Sequence, residues 1–276
     1  MTNTHFLYDD GIGKIELVQH MGEDITVVNS ARVSFGVHKE VIDDKDKKLI
    51  NYLIKHKHTS TLEHNIATFR IKVPLFVRSQ HHRHRTWSYN EISRRYTDAN
   101  IKFYETSIFR TQHKSNRQAS NIENAENPLL NFKVADCSKP LLLTASEAIS
   151  RYHKDCLKFF DNLLAAGVCR EQARGVLPQN LYTEYYATAN LNNILKFIEL
   201  RTHEGAQWEI QSLANNMLEI IKELWPLTVK AYQENKHWTK RYLSNILKEL
   251  IVLANKKLIK EAHDDVIKIL VRCRIK

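Results

Sequence analysis

His81-His82-Arg83-His84-Arg85-Thr86-Trp87-Ser88-Tyr89-Asn90-Glu91-Ile92-Ser93-Arg94-Arg95-Tyr96 sets cations, hydroxyls, one carboxamide and one carboxylate side by side with almost no aliphatic residue. Such a run makes poor core. Arg83, Arg85, Arg94 and Arg95 would repel one another across a helix face or a strand, so the segment gains its stability elsewhere, most simply by gripping an anion. The rest of the chain reads as a scaffold for it. Just upstream, Thr68 to Val73 alternates Phe69, Ile71 and Val73 with Thr68, Arg70 and Lys72, the pattern of a half-buried strand stopped by Pro74. Pro74 then opens a helix that projects Gln80, Arg83 and His84 along one side. Thr86 to Asn90 are poor helix formers, and an extended chain beyond them points Ser93 and Arg95 the same way.

Composition narrows the rest. A chain of 276 residues with 43% hydrophobic and 26% charged side chains can bury a substantial core, and we read one large globular domain. Only 7 Gly and 5 Pro argue for long helices rather than repeated tight turns. The formal net charge of +10 would attract nucleic acid, an anionic membrane or phosphorylated small molecules, and charge alone does not choose among them. Cys137, Cys156, Cys169 and Cys273 have no C-x-x-C spacing, which implies reduced intracellular thiols and no disulfide framework. The first residues are polar and no apolar run reaches the roughly 18 residues of a membrane span, so a soluble cytoplasmic protein is expected.

Along the chain, Lys14 to Val18 predicts a strand, Glu23 to Arg32 a helix and Asp43 to Lys57 an amphipathic helix. Ile101 to Ile108 predicts another strand, and Thr111 to Asn127, polar and rich in Asn and Ser, a mobile loop. Pro140 to Ala166 predicts a long helix whose stripe of Leu142, Ala145, Ile149, Tyr152, Cys156, Phe159 and Leu163 is read as core. Tyr182 to Thr188 predicts a strand, after which Asn190 caps a helix from Leu191 to about Arg201 and leaves backbone donors suited to phosphate. A helix entered at Gln207-Trp208-Glu209 runs to Leu224 and is ended by Pro226; a basic amphipathic region follows from Trp238 to Lys276. The expected fold class is α+β, a mostly helical chain with a small antiparallel or mixed sheet, divided into residues 1–237 as the main domain and 238–276 as a helical C-terminal extension.

Three chemistries compete for the polar segments. A metal hydrolase would use His58, Glu63 and His64 with His81, His82 and His84, but the neighbouring arginines disfavour a dication and no H-E-x-x-H spacing is present. We therefore expect no metal. A non-enzymatic RNA-binding protein would use the basic stretch for phosphates and Trp87, Tyr89 and Tyr96 for base stacking. It has no need of Asn90 and Glu91 inside the patch, nor of the separate Arg174 and Arg201 segments.

The third chemistry comes from a resemblance. Arg83-His84-Arg85-x-x-Ser88-x-Asn90-Glu91-x-Ser93-x-Arg95 resembles the signature of the flavin-dependent thymidylate synthases and matches its fixed positions throughout. The likeness extends to Ala31-Arg32-Val33-Ser34-Phe35, His58 to His64, Arg170 to Tyr182, Leu200-Arg201 and Ala206-Gln207-Trp208-Glu209, covering roughly Ile15 to Tyr232. It implies conversion of dUMP to dTMP with methylenetetrahydrofolate as carbon donor, NADPH as reductant and FAD as hydride relay, in a homotetramer with no membrane or nucleic-acid partner. No cysteine lies in a polar motif, and a flavin route needs no thiolate nucleophile. By the resemblance Arg201 is catalytic, stabilising the uracil ring ionised at N3. Gln80, Arg83, Glu91, Ser93, Arg94, Arg95, Arg174 and Arg201 would bind dUMP. Ser34, His58, Ser60, Arg83, His84, Arg85, Glu91 and Asn190 would bind cofactor, with His58 where flavin meets folate or nicotinamide. The sequence departs from the family pattern at Arg94, where glycine is common, at Asn192 and Lys196, where arginine and an uncharged polar residue are usual, and at Thr61, which replaces a proline.

Overall fold

The computed structural model describes residues 4–117, 120–132 and 141–235. The extension 238–276, the helix start at Pro140, and Cys137 and Cys273 lie outside the described residues. A five-stranded antiparallel sheet organises the fold. Its strands are β1 (Thr4–Phe6), β2 (Lys14–Met21), β3 (Ile66–Pro74), β4 (Ser88–Glu91) and β9 (Tyr182–Asn190), in the order β1-β2-β3-β9-β4. β3 forms as its alternation predicts: Phe69, Ile71 and Val73 are fully buried, and their neighbours Arg70 and Lys72 are not. β4 pairs Ser88 with Thr188 and Glu91 with Tyr185, which fixes the second half of the motif to the sheet edge.

Helices α1 (Asp24–Arg32), α2 (Asp44–Lys55), α3 (Leu75–His81), α6 (Leu191–Arg201), α7 (Trp208–Leu224) and α8 (Pro226–Asn235) complete the sheet's core. Among the described residues that core includes Phe69, Phe197, Ile221 and Trp225, all with no exposed surface. Pro226, expected only to end a helix, also begins α8, because a proline at the first helical position forfeits no intrahelical bond. Gly22 turns β2 into α1 with φ +84°, and a Cβ there would meet Asn65 Oδ1 at 2.6 Å, so glycine is required twice over.

Two hairpins, β5 (Phe109–Gln112) with β6 (Ser120–Glu126) and β7 (Leu129–Phe132) with β8 (Leu141–Thr144), precede α4 (Ala145–Ala165); the short α5 (Arg170–Ala173) follows it. Three expectations change here. The segment predicted as a mobile loop is largely the β5–β6 hairpin, held by backbone pairing that polar side chains do not advertise. Ile101 to Ile108 is not a strand; it is irregular chain touching the sheet through a single bridge, Phe103 to Leu181. The α4 stripe is not all core: Ala145, His153 and Phe160 are buried, but Tyr152 and Phe159 are 55% and 53% exposed.

Candidate active site

α3 ends at His81, one turn earlier than a helix carrying Arg83 and His84 would need. The chain instead folds back, with the His84 amide on the His81 carbonyl at 3.0 Å and the Tyr89 hydroxyl donating to the carbonyls of His81 and His84 at 3.0 and 3.1 Å. His81, Trp87, Tyr89, Tyr185 and Phe197 pack as an aromatic block beneath this turn, and His81 Nδ1 lies 2.8 Å from the Tyr185 hydroxyl. The turn meets the last residue of α6. Arg201 Nε donates to His84 Nε2 at 3.2 Å, and its Nη2 donates to the Gln80 carbonyl at 3.1 Å. The Gln80 side chain in turn donates to Gln207 Oε1 at 2.6 Å. Gln80 and His84 thus form one cluster with Arg201, which is more than a hundred residues away in sequence. Among the described residues no carboxylate pairs with Arg201, whose half-burial lowers its pKa.

Glu91 occupies a second cluster. Its Oε1 accepts from Arg78 Nε at 3.0 Å and from the Thr183 hydroxyl at 2.6 Å, so the carboxylate is fixed from α3 and from β9. Neither Arg78 nor Thr183 was marked by the sequence; the only hint was a cation on the helix before the motif. Beyond β4 the chain turns at Ser93. Arg94 donates to the Ala99 carbonyl at 2.6 Å while its Nε is buried without a partner, and burial lowers its pKa. Arg95 is exposed and pairs with Glu171 at 3.3 Å; Arg170 pairs with Asp98 at 3.0 Å, so the loop is clasped to α5 by two ion pairs. Glu171 thus pairs with Arg95 rather than with a neighbour on its own segment. Arg83, Arg85 and Arg174 are exposed and make no ion pair among the described residues.

The remaining positions form a third group. Ser34 and Ser60 sit exposed on single-turn 3-10 helices, Val33–Phe35 and Thr59–Leu62. His58, Asn192 and Lys196 line a cleft of about 390 Å³ between α2, α6 and α8 that Arg201 and His84 do not line. Asn190 caps α6 as predicted, its Oδ1 accepting from the Asn193 amide at 3.0 Å. The helix start is less open than expected, because the Leu191 amide donates to the Asn65 carbonyl at 2.7 Å. Asn192, buried, donates to Glu63 at 2.9 Å. Among the described residues no three His, Cys, Asp or Glu side chains are placed to hold a metal ion, and no helix is long and apolar enough to cross a membrane.

The family described as Thymidylate synthase complementing protein matches residues 16–227. The flavin-dependent thymidylate synthase of Thermus thermophilus is 40% identical over 223 residues, 81% of this chain and 76% of that protein. The chain belongs to the flavin-dependent thymidylate synthase family. The enzyme of that name from Thermosipho africanus is 38% identical over 220 residues, 80% of this chain and 90% of that one. A UMP/dUMP methylase, PolB from Streptomyces cacaoi, bound with 5-Br dUMP, superposes with a TM-score of 0.64 at 30% identity over 80% of this chain and 94% of that one. As a flavin-dependent thymidylate synthase family member, the chain carries its signature on a turn, an edge strand and a loop. Three separate elements therefore position one motif.

Proposed function

We propose that the protein methylates dUMP at C5 to give dTMP, with methylenetetrahydrofolate as carbon donor, NADPH as reductant and FAD as cofactor, in a homotetramer. The observation that carries this reading is the Arg201 guanidinium, half-buried, with only neutral acceptors among the described residues. A cation left unneutralised in a partly desolvated site stabilises negative charge developing on a uracil ring, and a guanidinium does so without losing its own proton. Gln80 and Glu91 orient the nucleotide, Ser93 donates a hydroxyl, and Arg83, Arg95 and Arg174, with the Arg94 backbone, receive its phosphate. Arg95 exchanges Glu171 for that phosphate at little cost, since an exposed ion pair is worth about 0–1 kcal/mol.

The donor set suits a flavin dinucleotide. Arg83 and Arg85 are exposed without ion-pair partners among the described residues, Ser34 and Ser60 offer exposed hydroxyls, and Asn190 keeps its Nδ2 after capping α6. These residues, with His58, His84 and Glu91, would hold FAD, which when bound supplies the redox step that protein side chains lack. Motif positions serving both ligands fit an assembly in which one copy's flavin lies against a neighbour's nucleotide.

Purified protein is expected to be yellow, with an oxidised-flavin band that NADPH bleaches and dUMP perturbs, and to form dTMP. Colourless protein that FAD does not reconstitute, and that binds RNA with a steep salt dependence, overturns the reading. Arg201→Ala is expected to keep the flavin and lose dTMP formation by about 10²–10³-fold or more, the scale of removing one transition-state donor. Near-normal turnover removes Arg201 from its role.

A further inference from the structure

We propose that His84 is the positioning residue of Arg201, a neutral acceptor that aims the guanidinium without cancelling its charge. The inference rests on the reaction given above and deepens it. The resemblance places His84 beside the flavin; the geometry gives its ring a separate task. Arg201 Nε points at His84 Nε2 at 3.2 Å, and an N–H can be accepted there only when that nitrogen is unprotonated. The ring must therefore carry its proton on Nδ1. Burial, and then the Arg201 charge, bring the His84 pKa down to about 4, so the ring is neutral near pH ~7.

The ring is itself well fixed. Its backbone is tied at both ends, through the His81 carbonyl and the Tyr89 hydroxyl, and its plane stands edge-on to Phe197 at 5.0 Å and 82°. The groups facing it are Arg201 and Phe197 from α6, His81 from α3 and Tyr89 from β4, none of them a carboxylate. The second contact on Arg201, the Gln80 carbonyl at 3.1 Å, is also uncharged. An arginine that needs only orientation is usually paired with Asp or Glu, which holds it more strongly and neutralises it. Here two neutral acceptors fix one edge of the fork, and the full charge remains for the substrate.

The test uses the full chain with FAD and four variants: His84→Ala, His84→Gln, His84→Glu and the double variant His84→Ala with Arg201→Ala. Flavin absorbance, melting temperature, the dUMP-induced change in the flavin band, and kcat with KM for dUMP are measured on each. His84→Ala is expected to fold, to take up FAD supplied in excess, and at saturating FAD to lose kcat by about 10²-fold, the scale on which misplacing a catalytic group acts. His84→Gln, a neutral acceptor, restores most of that loss. His84→Glu holds the guanidinium but neutralises it, so dUMP still perturbs the flavin band while kcat stays as low as in the Ala variant. The double variant loses no more than Arg201→Ala alone.

Full kcat in His84→Ala, additive losses in the double variant, or equal kcat for the Gln and Glu variants overturns the assignment. So does loss of flavin that Gln does not restore. Should His84→Ala fail to fold, the Gln and Glu pair decides by the same criterion. A wild-type protein that makes no dTMP overturns the reading of the reaction, and this assignment with it. Wild-type turnover with any of the outcomes just named overturns the assignment alone.

Discussion

At the scale of single residues, three imidazoles crowd the motif and all are pushed toward the neutral form. His81 is fully buried, and burial first, then the charges of His84, His82 and Arg201, drive its pKa well below the ordinary value. Burial and Arg78 lower that of His82, with Glu91 pulling the other way. Burial and Arg201 bring His84 to about 4. In the unfolded chain each would titrate near ~6.5. As pH falls, the unfolded chain takes up these protons first. The stability due to the neutral rings is therefore complete above about 6.5, declines below it, and is lost for His84 as the pH passes through about 4. The urea midpoint is expected to hold from pH 7.5 to about 6.5 and then fall toward pH 4.5, and His84→Gln to show a shallower fall. A midpoint flat across that range would contradict buried neutral imidazoles. Asp46 works in the same direction at lower pH. Burial alone would raise its pKa, but hydrogen bonds from Lys39, the Asp43 end of α2 and Arg32 outweigh burial and hold it well below the carboxylate range.

At the scale of elements, the joints between helices and sheet decide whether the site is held. Asp24, the first residue of α1 and 7% exposed, accepts from the backbone amides of Leu227 and Thr228 at 2.9 Å each and from the Thr228 hydroxyl at 2.5 Å. It supplies acceptors for the orphan amides at the start of α8. Trp225, just before α8, donates to the Gly22 carbonyl at 2.8 Å, so α7, α8 and the β2–α1 turn are locked together. Asp24→Ala leaves buried donors without acceptors and is expected to destabilise the fold by on the order of 3 kcal/mol, read from urea unfolding. A loss below about 0.5 kcal/mol, the range of an ordinary surface substitution, would mean that α8 is held by packing alone. β3, the β9–Asn190–α6 junction and α2 were legible in the sequence because alternation, a capping side chain and helical periodicity are local signals. The β5–β6 hairpin was not, since its strands are polar and β5 carries no fully buried side chain to impose alternation. The site divides the same way. Gln80, His84, Glu91 and Arg201 could be read as residues, but the bonds that aim them join positions up to 127 residues apart, as between Gln80 and Gln207. The pairing of Arg110 with Glu209, 99 apart and 2.8 Å long beneath Trp208, was not legible for that reason, although Glu209 itself lay in the likeness.

At the scale of the whole molecule, several large apolar side chains among the described residues stand exposed. Tyr152 and Phe159 on α4 are exposed, as are Leu142 of β8 at 58% and Leu129 and Phe132 of β7 at 68% and 41%. Elsewhere Val33, Phe35 and Val41 are 70%, 84% and 76% exposed around Ser34. The sequence marked the α4 stripe correctly as apolar; it could not tell whether the covering surface belongs to the same chain. Ala145, Ile149, Tyr152, Cys156, Phe159 and Leu163 recur at alternating steps of four and three, the spacing with which one helix packs along another. In the proposed assembly this exposed apolar stripe is where a second copy packs. The proposed homotetramer supplies the partner and gives a reason for the cations left unpaired at the motif. Phe159→Glu on α4 is expected to leave the secondary structure intact while shifting the sedimentation profile from tetramer toward smaller species. dTMP formation and flavin retention should fall together with the tetramer, although Phe159 belongs to none of the groups assigned to dUMP or FAD. Raising the protein concentration should recover both in parallel, because mass action sets the assembled fraction. A Phe159→Glu protein that stays tetrameric places the interface elsewhere. One that becomes monomeric and retains full turnover shows instead that a single copy holds a complete site, and the paired half-sites are then wrong.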